Sequence, residues 1–214
     1  MWIFGAILIN ARRFIVVMKA VILDLDGVYF MNGKENFIKN MNKRYSVPTK
    51  NVEDVFLKSD MMRKYKQGLI SGKEFWKYAL NEWNIKATQE EVLEILQHGY
   101  DLNGKKKEIM RLLKERDIKK IICTNNFPER IQILDERFDF LKEFDHIVLS
   151  YEHKMLKPEL LKVVSKVSGF DNSDITYFDD SSENIEYAKK IGMNAILIKE
   201  PSRVLKNLKE ISDA

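Results

Sequence analysis

"AVILDLDGVYF", residues 20–30, decides how the rest of the chain is read. Ala20 to Leu23 form a short apolar, β-branched run, the composition of a strand buried on both faces. Two carboxylates, Asp24 and Asp26, follow one residue apart, with Gly27 directly behind them. Like charges at the end of a buried strand are costly unless something positive sits there, so the stretch points to a site that holds a positive group. Alternation sends Asp24 and Asp26 to the same side of the chain, and Gly27 lets the backbone bend away after them.

Working outward, the segment from residue 103 onward alternates helix and strand. A helix over Lys105 to Glu115 leads into the strand "IKKIICTN". A helix after Pro128, with Ile131, Leu134 and Phe138 on one face, leads to "HIVLS". A third helix, opened by Pro158 and closed at Gly169, precedes "ITYF". A fourth, Ser181 to Ile191, stops at Gly192 and leads to "NAILI"; the last, after Pro201, buries Val204, Leu205, Leu208 and Ile211. Together with residues 20–25 this predicts an α/β fold, a doubly wound parallel sheet of five strands separated by helices.

Between about residues 34 and 100 the periodicity is purely helical. Phe37, Ile38, Met41 and Tyr45 share one face, and Val52, Val55, Phe56 and Met62 line a second helix after Pro48. Ser71 with Glu74, and Thr88 with Glu91, make capping-box patterns ahead of two more apolar stripes, Phe75 to Trp83 and Val92 to Leu96. The segment reads as a small helical bundle inserted after the first strand, its stripes being core packing. The expected division is a catalytic core at 18–32 and 103–214, a helical insert at 33–102 and an N-terminal extension at 1–17. That extension is apolar only from Trp2 to Ile9, too short to span a bilayer, and lacks the charge order of a signal peptide. Since Met18 is a natural start for the domain, residues 1–17 are expected to be dispensable.

The chain has 214 residues and a net charge of +4 from 36 basic and 32 acidic residues, which argues against a nucleic-acid partner. A single cysteine, Cys123, excludes an internal disulfide and fits a cytoplasmic, reducing setting. No stable membrane association is expected, and the chain is read as a monomer or homodimer.

Ligands of an open parallel sheet bind beyond the carboxyl ends of its strands. Asp24 and Asp26 follow the first strand, Thr124, Asn125 and Asn126 the second, and Asp179, Asp180, Ser181 and Asn184 the fourth, with Lys157-Pro158 shortly after the third. Four carboxylates without histidine or cysteine suit a hard cation such as Mg²⁺. A hydroxyl, loop amides and a lysine suit a phosphate dianion. Each piece alone is an ordinary cap, loop or helix start, but together and in order they predict a site.

These motifs resemble the haloacid dehalogenase-like (HAD) hydrolase superfamily: "DLDGV" at 24–28, Thr124 in "IICTNN", Lys157 in "KP", and "DDSSEN" at 179–184. The likeness runs from about Met18 to the last helix and implies a Rossmann-like core with the helical segment as a cap of the subfamily I kind. "GLISGKEFW" and "FDDSSENIEYAKKIGM" resemble the small sugar-phosphate phosphatases of that subfamily. The resemblance implies that Asp24 is the nucleophile, forming an aspartyl-phosphate, and that Asp26 is the general acid and base. It implies metal contacts from Asp24, the Asp26 backbone carbonyl and Asp180, with Asp179 acting through water or from behind the direct ligands and Asn184 orienting them. Thr124, Asn125 and Lys157 would hold the phosphoryl group.

The implied activity is Mg²⁺-dependent hydrolysis of a small phosphorylated metabolite, sugar phosphates foremost. A sugar phosphomutase ranks second, because the linker "YFMNGKENF" lacks the histidine that such mutases carry there. A 2-haloacid dehalogenase would replace the second aspartate, which here is Asp26, and a non-catalytic relative would have lost a motif aspartate. Lys34, Arg63, Lys66 and Trp76 are candidates for contacts from the insert to the substrate.

Overall fold

The computed structural model describes residues 18–212; the expectation for residues 1–17 lies outside them. In chain order the elements are β1 (Ala20–Leu23), β2 (Phe30–Met31), α1 (Gly33–Tyr45), α2 (Thr49–Glu53), α3 (Asp60–Lys66), α4 (Gly72–Glu82), α5 (Gln89–His98) and β3 (Asp101–Leu102). There follow α6 (Lys106–Glu115), β4 (Lys119–Thr124), α7 (Pro128–Phe138), β5 (His146–Leu149), α8 (Ser150–His153), α9 (Leu161–Ser168), β6 (Ile175–Asp179), α10 (Ser182–Lys190), β7 (Asn194–Leu197) and α11 (Arg203–Ser212).

Five strands form one parallel sheet in the order β5-β4-β1-β6-β7. The chain leaves β1 for β4 and β5 on one side, then crosses to β6 and β7 on the other. The switch in strand order therefore falls at β1, where a crevice opens beyond the carboxyl ends of the strands. Asp24 stands at that point, its N–H donating to the Phe178 carbonyl at 3.2 Å.

Alternation along β1 feeds two apolar layers. Val21 and Leu23 face one, shared with Ile109, Leu113, Phe127, Val204 and Leu208; Ala20 and Ile22 face the other, with Leu161, Val164, Ile185 and Ala188. The first layer continues without a break into the insert, through Phe37, Met41, Phe75 and Trp76. Each such fully buried large side chain contributes about 1.5–3 kcal/mol relative to exposure.

The two capping boxes form as the spacing predicts, Ser71 with Glu74 and Thr88 with Glu91. Two features differ from the sequence reading. The stripe from Val52 to Met62 is not one helix: a π-helical turn at Asp54–Lys58 is followed by a break at Ser59, which is extended (ψ 148°) and caps α3 by accepting from the Met62 N–H. The π turn shifts the phase enough that Val55, Phe56 and Met62 still reach one core across the break. The antiparallel ribbon β2–β3 is the other, pairing Phe30 with Leu102 and Met31 with Asp101 where the chain enters and leaves the five helices.

Candidate active site

Between β1 and the ribbon the chain folds into a tight turn. The Tyr29 N–H donates to the Asp24 carbonyl at 3.1 Å, the Phe30 N–H to Leu25 at 2.6 Å, and the Gly27 N–H to Phe30 at 2.9 Å. Gly27 has φ +75°, and a Cβ there would lie 2.7 Å from Asp180 Oδ2. Glycine is thus required twice over, by the backbone conformation and by the carboxylate packed against it.

Asp24 is buried, and its Oδ1 accepts from the Leu25 N–H at 2.9 Å and from Lys157 Nζ at 2.8 Å. The same ammonium reaches Asp179 Oδ2 at 2.7 Å and the Tyr177 hydroxyl at 3.1 Å. Tyr177 Oη donates in turn to Asp179. Asp179, at the end of β6, also accepts from the Ser181 N–H at 2.7 Å and from Asn184 Nδ2 at 3.1 and 3.2 Å. Asp180, more exposed, completes a group in which Asp24, Asp179 and Asp180 each offer an oxygen, all within 4.8 Å of one another.

Burial pushes the Asp24 carboxyl up to about 7, with Asp179 and Asp26 adding to the rise and Lys157 opposing it. Burial also works to raise Asp179, but Lys157 and the bonds from Tyr177 and Ser181 hold it below the usual carboxylate range. Burial and the neighbouring Asp179 raise Asp180. Lys157 stays charged: burial favours the neutral amine, and Asp24, Tyr177 and Asp179 together outweigh it. Three carboxylates against one lysine leave an excess of negative charge in an all-oxygen pocket.

Beyond β4, Asn125 Oδ1 accepts from the Lys157 N–H at 2.7 Å, tying the loop after β4 to that before α9. Thr124 is buried at the end of β4. The Asn126 N–H donates to Ser150 Oγ at 2.9 Å.

Asp26 stands apart from the carboxylate cluster. Its Oδ1 takes an ion pair from Arg130 and its Oδ2 lies 3.1 Å from Lys34 Nζ. Burial opposes ionisation here, but the two cations overcome it and hold the Asp26 carboxyl well below the usual range. Arg130, in the first turn of α7 and 1% exposed, stacks its guanidinium 4.8 Å from the centre of the Tyr100 ring. Of the insert residues singled out from sequence, Lys34 reaches the site, and Arg63 and Lys66 line a cleft that opens onto it. Trp76 does not: it is buried among Phe56, Phe75 and Phe127.

Sequence reasoning missed Arg130 and Tyr177. Arg130 sits beside the apolar stripe Ile131–Leu134, where an arginine reads as the flank of a helix face. Tyr177 belongs to an apolar strand and reads as core.

A family model of haloacid dehalogenase-like hydrolases matches residues 18–192, the span that carries β1, the insert and every carboxylate of the cluster. The chain belongs to that family. Among curated proteins, an uncharacterized protein of Dictyostelium discoideum is 24% identical over 209 residues, covering 84% of this chain and 90% of its own. A HAD family enzyme from Bacteroides thetaiotaomicron, solved in complex with magnesium and inorganic phosphate, superposes with TM-score 0.74 at 22% identity, covering 85% of this chain and 94% of that one. The L-2-haloacid dehalogenase of Xanthobacter autotrophicus superposes with TM-score 0.64 at 15% identity, covering 85% and 77%. At these identities the solved structures establish a shared HAD fold. Among the described residues no helix is long and apolar enough to cross a membrane.

Proposed function

We propose that this HAD-like hydrolase is a Mg²⁺-dependent phosphatase of small phosphomonoesters, sugar phosphates foremost, acting through an aspartyl-phosphate at Asp24. The observation that carries the reading is the position of Asp24 at the switch point of the sheet, anchored through one oxygen by Lys157 within a cluster of three carboxylates. Anchoring Oδ1 fixes the rotamer, so Oδ2 is presented in a set direction for attack on phosphorus.

The oxygen-only donors Asp24, Asp179 and Asp180 fit a hard divalent cation, and the Bacteroides thetaiotaomicron enzyme of the same fold was solved with magnesium. Bound there, Mg²⁺ would neutralise the carboxylate and phosphate charges that otherwise repel. Lys157 screens Asp24 from the incoming dianion, while Thr124 and the Asn125 amide receive the phosphoryl oxygens. Asn184 and Tyr177 keep Asp179 in place. Asp26 protonates the departing oxygen, then takes a proton from the water that hydrolyses the acyl phosphate. The ion pairs with Arg130 and Lys34 favour the ionised carboxylate, so in this reading Asp26 turns out of those pairs and takes up a proton before the acid step. Helices α1–α5 serve as the cap.

A dehalogenase would have no use for Asp26 or for the pair Asp179–Asp180. Phosphate release from a panel of monoesters, with and without Mg²⁺, tests the reading. Turnover that requires the metal and disappears in Asp24→Asn supports it; turnover that survives in Asp24→Asn rejects the covalent route.

A further inference from the structure

The cap side of the site carries a cation that the chemistry above leaves unused. Lys66 lies in the last turn of α3, half-buried, and forms no ion pair among the described residues. The carboxylates whose charge bears on it belong to Asp26, already taken by Arg130 and Lys34, and to Asp24, taken by Lys157. Burial, then the neighbouring charges of Lys34 and Arg130, bring its ammonium down to about 7. A half-buried cation held beside two others, with no anion of its own, is costly unless a ligand supplies one.

The position of Lys66 is tied to the site by its backbone. Ser150 Oγ, which accepts from the Asn126 N–H, donates to the Lys66 carbonyl at 2.5 Å. Two residues on, Gly68 (φ +65°) passes so close to α8 that a Cβ would lie 2.5 Å from the Tyr151 carbonyl. The end of α3 therefore has a set distance from the phosphate loop. Arg63 precedes Lys66 by one turn and faces the same cleft, and it too forms no ion pair among the described residues. That cleft has a volume of about 430 Å³, with Met62, Arg63 and Lys66 on one wall and Asn125 and Lys157 on the other. Glu159 and Glu183 also line the cleft.

We infer that Lys66 and Arg63 form a subsite for a second anionic group, a carboxylate or phosphate, carried by the leaving group of the substrate. The inference rests on the phosphatase reading and narrows it: the preferred substrate is a small monoester with two acidic groups. One end goes to Asn125 and Lys157, and the other is held by the α3 wall. Arginine and lysine one turn apart give such a group several charge-assisted hydrogen bonds.

The test compares substrates differing only in that group: ethyl phosphate against phosphoglycolate, and a hexose monophosphate against the hexose bisphosphate, with full-length protein and Mg²⁺. The wild type should favour the doubly charged member of at least one pair by about tenfold or more in kcat/KM, the worth of one charge-assisted bond. Which pair shows it distinguishes carboxylate from phosphate. Lys66→Met and Arg63→Met should each lower that ratio, and the double variant should bring it to about unity. If the wild type hydrolyses the members lacking the second acidic group as well as those that carry it, the subsite is rejected and the phosphatase stands. If Lys66→Met lowers both members of a pair equally, Lys66 serves the transferring phosphoryl group and the subsite is likewise rejected. Failure to hydrolyse either member of either pair, or p-nitrophenyl phosphate, rejects the phosphatase reading and the subsite with it.

Discussion

Arg130, sealed in the first turn of α7, gives its charge to Asp26, two residues beyond Asp24. The pair links the helix that follows the β4 loop to the turn that leads into the insert. Lys34 closes it from α1 at 3.1 Å, so one carboxylate joins three segments of the chain.

Removing either partner strands a buried charge. Arg130→Met leaves Asp26 with Lys34 alone, and Asp26→Asn leaves Arg130 and Lys34 facing each other. Each should destabilise the fold by about 3–5 kcal/mol, the cost of breaking a buried ion pair. The sign with pH follows from Asp26, whose carboxyl is depressed in the folded state. Its stabilisation is present above the unfolded-state value of about 4 and is lost as pH falls below it. Denaturant melts from neutral to acid pH should show Asp26→Asn losing its deficit on the acid side. A deficit that stays constant would mean that the ion pair is not the source.

Asp24 behaves in the opposite sense. Its folded-state value is raised to about 7, so metal-free wild type should lose stability as pH climbs from the unfolded carboxylate range through that value. Asp24→Asn removes the buried charge and leaves Lys157 its bond to Asp179. In EDTA the variant should melt above the wild type on the alkaline side of 7, with the two converging in acid. Mg²⁺ should then raise the wild type more than the variant, through binding to the native state. Identical melting of the two proteins across the pH range would count against the raised Asp24.

Gly27 supports a sharper test of the carboxylate cluster. Alanine there meets both a left-handed backbone and Asp180 Oδ2 at 2.7 Å, so Asp180 has to move. Gly27→Ala should cost more than about 1 kcal/mol in stability. It should also raise the Mg²⁺ concentration for half-maximal activity by about tenfold or more, as when a support of a metal ligand is lost. A metal titration of phosphate release measures the second effect. An unchanged midpoint would remove Asp180 from the metal set.

How much of this was legible follows from where each signal lies. Strands of four to six residues with apolar centres, between helices with capping residues, announce a parallel sheet, because burial on both faces leaves few other compositions. Asp24, Thr124, Lys157 and Asp179 were findable because each stands at or beyond the carboxyl end of a strand, and such a sheet gathers its strand ends. The β2–β3 ribbon was not, since two residues per strand carry no periodicity. Arg130 was hidden for a different reason: its partner lies 104 residues earlier, and nothing local to α7 requires a buried charge. The break at Ser59 was masked because the apolar residues on both sides serve one core.

The last prediction concerns the insert and the core as folding units. Phe127, between the loop after β4 and α7, stacks on Tyr65 of α3 at 4.6 Å and 22°, and Tyr65 stacks on Phe75 of α4 at 4.9 Å. Trp76 and Phe56 approach the same ring at 6.1 and 6.3 Å. One aromatic cluster thus spans both parts, and the apolar layer under it is continuous. Trp76 and Trp83 belong to the insert, so tryptophan fluorescence reports mainly on its unfolding, whereas far-UV circular dichroism reports on the whole chain. In the wild type the two signals should change at the same denaturant concentration, as for a single cooperative unit. Phe127→Ala should cost about 3–5 kcal/mol and cut the main contact between the parts, so its fluorescence transition should precede the other. Separate transitions already in the wild type would show that the insert folds on its own and that the aromatic cluster does not couple it to the sheet.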